Sequence, residues 1–125
     1  MSLGYDEIDK LPEAVLYDTN LELDFIEAAN KSQKKFQVSE VIITSDRWAS
    51  TFNGSGHVIA RFRNASILAN NKGICYLQHI VFEQKGNGEI FKEITIIKKS
   101  NWNIFNCNLL EKKNPDTIAR VQYDN

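Results

Sequence analysis

From Phe36 onward the apolar residues fall at every second position or in short runs, the spacing of β-strands, whereas before Phe36 they fall three and four apart. The clearest signal is a hairpin, Ile74–Gln84 and Glu89–Lys98, turning at Lys85-Gly86-Asn87-Gly88. Its glycines and asparagine tolerate the positive φ that a tight turn needs. A further strand is predicted through Trp102-Asn103-Ile104-Phe105. Ahead of the hairpin, strands are predicted at Phe36–Ile43, at Arg47–Phe52 with Trp48 and Phe52 on one side, and at His57–Leu68. In the last of these Val58, Ala60 and Phe62 face away from Arg61 and Arg63. Asn53–Gly56 and Asn70–Gly73 read as turns, and Thr117–Tyr123 as a short edge strand or an unwound tail.

The segment up to Lys35 predicts helix in two pieces. Pro12 suits a first turn, with Leu11, Val15 and Leu16 at helical spacing. Thr19 or Asn20 then caps a second piece with Leu21, Phe25 and Ala28 on one face. Both arms of the hairpin are apolar on both sides: Ile74, Tyr76, Ile80 and Phe82 on one, Cys75, Leu77 and Val81 on the other. Such a ribbon needs two covers, the N-terminal helix on one face and a folded-over sheet or a second subunit on the other.

A chain of 125 residues, 42% hydrophobic, fits one domain: 1–35 an acidic, mainly helical segment and 36–125 an antiparallel sheet. No apolar run approaches the length of a membrane span and no leader is read, so the expectation is a cytoplasmic protein without a membrane partner. Cys75 and Cys107, each in a predicted strand, are expected as buried reduced thiols rather than a disulfide. Charge is unevenly placed. Up to Asn30 eight acids stand against Lys10 alone, a net of −7, while the remainder carries fourteen bases and eight acids, a net of +6. An acidic arm lying over a basic body is one consequence of that division.

Chemistry is sparse. There is no glycine-rich phosphate loop, no nucleophile elbow and no paired cysteines at metal spacing, so no metal and no cofactor are assigned. His79 sits in a central strand, where a histidine is more often hydrogen-bonded or simply exposed than catalytic. Glu93, placed at an equivalent depth on the next strand, and Tyr76 are the candidates that would assist it as a general base. Arg61, Arg63 and Lys92, with Trp48 in an adjacent strand, form a candidate basic and aromatic binding surface for nucleic acid or an acidic protein.

The run Phe82-Glu83-Gln84-Lys85-Gly86-Asn87-Gly88-Glu89-Ile90, continued by Ile94-Thr95-Ile96-Ile97-Lys98-Lys99-Ser100-Asn101-Trp102-Asn103-Ile104, resembles the closing strands of the NTF2-like (SnoaL-like) superfamily. The resemblance implies an α+β cone in which an N-terminal helical segment packs on a strongly curved antiparallel sheet of five to seven strands. It also implies an enclosed pocket and a sheet face used for dimerisation. The short segment before Phe36 keeps a small β-barrel or pleckstrin-like sandwich as the alternative. Three functional readings follow in order: a non-catalytic interaction domain, homodimeric through a sheet face; an NTF2-like isomerase, cyclase or hydratase acting on a small apolar ligand through His79; and a polyanion binder through Arg61, Arg63 and Lys92.

Overall fold

The computed structural model describes residues 4–111. Its elements in chain order are β1 (Asp6–Ile8), α1 (Thr19–Ser32), β2 (Val38–Ile43), β3 (Ala49–Phe52), β4 (Val58–Asn71), β5 (Ile74–Gly86), β6 (Phe91–Lys99) and β7 (Asn103–Phe105). The spine is the β4–β5 ribbon, paired antiparallel without a register shift from Ala60↔Lys85 to Asn71↔Ile74. Lys72 and Gly73 join the strands with φ of 55° and 82°, the left-handed pair that matches the twist of a two-residue hairpin.

Each long strand is shared by two shorter neighbours. Along β4, β3 pairs with Val58–Phe62 and β2 with Ala65–Ala69; along β5, β6 takes the Ile80–Gly86 half and β7 the Cys75–Leu77 half. One half of the ribbon is therefore β3-β4-β5-β6. The other is β2-β4-β5-β7, extended by β1, which runs parallel to β7.

Period-two alternation divides the ribbon into two faces. Ile67, Ala69, Tyr76, Ile80 and Phe82 belong to the first, where α1 contributes Phe25, Ala28 and Ala29. Phe25 stacks on Phe82 with ring centroids 4.1 Å apart, and Phe36, Tyr76 and Trp102 form a second aromatic group. The helix begins at Asp18, whose carboxylate accepts the Leu21 N–H while Glu22 accepts the Asp18 N–H. Asn30 fastens its far end to β2, accepting the Val38 N–H and donating to the Val38 carbonyl. On the second face Ile42, Leu68, Cys75, Leu77 and Phe105 are buried beneath Ile8, Leu11, Ala14, Leu109 and Leu110.

Several expectations are corrected. The fold is a seven-stranded mixed sheet with little helix, not the NTF2-like cone of a helical N-terminal segment on a curved antiparallel sheet, nor the barrel or sandwich held as its alternative. The N-terminal segment starts as a strand, and Leu11–Leu16 forms no helix. Leu11 and Ala14 pack on the second face, Leu16 bridges to Ile43 and packs on the first, and Val15 donates its N–H to the Ile43 carbonyl. Tertiary contacts across the edge of β2 thus override a helical spacing. Trp48 packs with Phe25, while Phe52, expected on the same side, is exposed. Cys75 and Cys107 form a disulfide, with Cys107 in a turn after β7 rather than in a strand. Thr117–Tyr123 lies outside the described residues. Among the described residues no helix is long and apolar enough to cross a membrane.

Candidate functional site

Trp48, Arg61 and Arg63 come together as expected, on the first face of the β3–β4–β5–β6 half. The Arg61 guanidinium lies between two rings, 4.3 Å from the Trp48 centroid and 3.9 Å from that of Phe91. Its Nε and Nη2 donate to the Gln84 Oε1 at 2.9 and 2.6 Å. Arg63 is only 6% exposed and donates through Nε and Nη2 to the Ser45 carbonyl. Burial, and after it the neighbouring Arg63 charge, pushes the Arg61 guanidinium down from its ordinary value. Burial does the same to Arg63, opposed by the charges of Asp18 and Asp46. Two arginines used in this way seal the margin of the first core instead of presenting cationic forks to a polyanion. Lys92 is exposed, and no contact joins it to this group among the described residues.

The catalytic candidates are dispersed. His79 pairs with Ser66 near the middle of the ribbon, whereas Glu93 lies near the other end of β6 and forms an ion pair with Lys31 of α1 at 3.7 Å. The two are not at an equivalent depth, because β6 pairs Lys99 with Ile80 and Ile94 with Gln84. Tyr76 is on the first face, stacked on Phe36 at 4.0 Å, and His79 on the second. The His79 side chain is exposed rather than enclosed, so the reading that required it inside a pocket with Glu93 or Tyr76 lacks its geometry.

What surrounds His79 went unread in the sequence. Ser66 is fully buried and its Oγ lies 2.8 Å from the His79 Nδ1. The His79 N–H donates to the Ser100 Oγ, and the Ser100 N–H to the His79 carbonyl. A groove of about 340 Å³ opens here, bounded by Thr44, Asn64, His79, Lys98, Lys99 and Ser100, with Val81 on the same face as His79. The signal was available in one form: a two-residue turn at Lys72-Gly73 puts Ser66 opposite His79. Among the described residues no three metal-ligating side chains cluster. Compared with protein-family models, with curated proteins and with solved structures, the chain matches none.

Proposed function

We propose that this chain is a non-catalytic interaction domain that pairs with a second copy of itself through the open half of its second sheet face. The observation that carries the reading is the unequal cover of the ribbon. At the Leu68/Leu77 end the second face is buried, but at the Phe62/Val81 end no element lies over it among the described residues. Phe62 and Val81 are only half-covered there, and Phe52 on β3 and Ile97 on β6, at 58 and 50% exposure, stand at its two margins.

A second copy is favoured as the occupant because the patch carries both signs of charge. Alternation puts Glu83 and Lys85 on the same face as Val81, and Lys98 stands opposite Val81. A two-fold axis through such a patch brings acid against base on both sides of an apolar centre. Sedimentation equilibrium tests this directly. The native chain is expected to dimerise, and Phe52→Asp combined with Ile97→Asp to leave a folded monomer. A native chain that stays monomeric at every concentration, or a dimer indifferent to both substitutions, overturns it.

A further inference from the structure

We propose that the groove beside His79 is a binding site for a phosphate monoester. This goes beyond self-association and does not rest on it, because the groove lies where the cover of the second face stops.

The argument begins with the buried hydroxyl. Ser66 is 0% exposed, and the His79 Nδ1 is its hydrogen-bond partner among the described residues. A buried hydroxyl needs an acceptor for its proton, so Ser66 donates to Nδ1. A ring that accepts at Nδ1 carries its proton on Nε2, so the nitrogen left for a ligand is a donor. The fold thereby fixes an exposed imidazole as an N–H group aimed away from its own sheet.

The other walls supply the same polarity. Lys98, on the face of His79, and Lys99 line the groove, neither paired with a carboxylate among the described residues, and Asn64 adds an amide. No aspartate or glutamate lines the groove, although acids make up 16 of the 125 residues. The nearest on the strand, Glu83, is two pairs further along the ribbon, and Asp46, beyond Thr44, pairs with Arg47. Donors and positive charge without an acid select an oxyanion. The apolar Val81 on the same face and a volume of about 340 Å³ leave space for an organic group attached to it, within the range of small-ligand pockets.

The test is a titration of the full chain, isotope-labelled and followed by amide resonances, with inorganic phosphate, phenyl phosphate and phenol in separate arms. Saturable shifts at Asn64, His79, Lys99 and Ser100 are expected with both phosphates, tighter for the ester, and none with phenol. Tighter binding of free phosphate than of the ester overturns the assignment of ligand class. The double variant Lys98→Ala/Lys99→Ala, at exposed positions that the fold does not need, is expected to weaken binding about tenfold. Ser66→Ala is expected to shift the His79 ring nitrogens toward a mixture of tautomers and to weaken binding about threefold. Shifts spread over the surface lysines without saturation, or affinity unchanged in the double variant, overturn the site. Val81 and Lys98 also belong to the self-association patch, so the titration is repeated on the Phe52→Asp/Ile97→Asp chain: phosphate shifts that persist there separate the groove from the dimer, and shifts lost there overturn it as an independent site.

Discussion

The two halves of the β4–β5 ribbon are built from one continuous register, yet they are stabilised differently. At the β2/β7 end the sheet has a core on each side: the Phe36/Tyr76/Trp102 rings on the first face, and Leu68 and Leu77 beneath Ile8, Leu11 and Leu110 on the second. At the β3/β6 end only the first face is packed, by Phe25 on Phe82 and by the Arg61 fork between Trp48 and Phe91. The difference teaches that apolar residues on both sides of a strand specify a demand for cover but not who meets it. One end satisfies the demand within the chain; at the other no described element meets it.

The comparison breaks most readily at the disulfide, which fastens the turn after β7 to β5 across a separation of 32 residues. Cys107→Ser, or reduction by a dithiol, is expected to cost about 3–4 kcal/mol by the chain-entropy estimate. Hydrogen exchange should quicken at Leu68 and Leu77 and not at Glu83 or Thr95; uniform quickening would show that the halves unfold as one. Next in size is a paired truncation on the second face. Leu77→Ala, wholly buried, is expected to lose about 3 kcal/mol in urea unfolding. Val81→Ala, half-covered, should lose about 1 kcal/mol. Equal losses would erase the distinction between the ends.

Smaller still is the contribution of the helix cap. Asp18→Ala removes the acceptor of the Leu21 N–H and should lower stability by about 1 kcal/mol, measured by thermal unfolding. The smallest effect lies at Lys31, which joins α1 to β6. A hydrogen bond to Glu27, then the Glu27 charge and the Glu93 charge, raise its pKa above the ordinary 10.5. A raised folded-state value means the stabilisation is complete below the unfolded value and is lost as pH rises through the folded one. Lys31→Met should therefore flatten the strongly alkaline part of the stability profile. A variant that tracks the native curve there would show that the exposed pair contributes nothing.

Much of the sheet was legible because its signals are local. The alternation of β4, β5 and β6 and the Asn87 turn, where the side chain accepts the Glu89 and Ile90 N–H groups, depend on neighbours in sequence. The second piece of the predicted helix was found for the same reason, since Leu21, Phe25 and Ala28 keep one face. What escaped was decided at a distance. Asp6-Glu7-Ile8 has no alternation to read, and it is a strand only because β7 lies beside it. Leu11–Leu16 surrendered a helical spacing to contacts on both faces. Cys75 and Cys107 meet because β7 returns along β5, with Cα atoms 5.5 Å apart. At the site, Trp48, Arg61 and Arg63 were legible from strand alternation, whereas the groove needed the exact register of three strands to bring Ser66, His79 and Ser100 together.

The parallel pairing of β1 with β7 also orders events during synthesis. Asp6–Ile8 leaves the ribosome ahead of β2 to β6, yet its partner, Asn103–Phe105, emerges after them all. The strand β1 therefore waits for β7 while the intervening elements are made, and its two adjacent acids discourage premature β-aggregation with other nascent chains. A strand made ahead of the rest of the sheet is thus locked in place only once β7 has followed it.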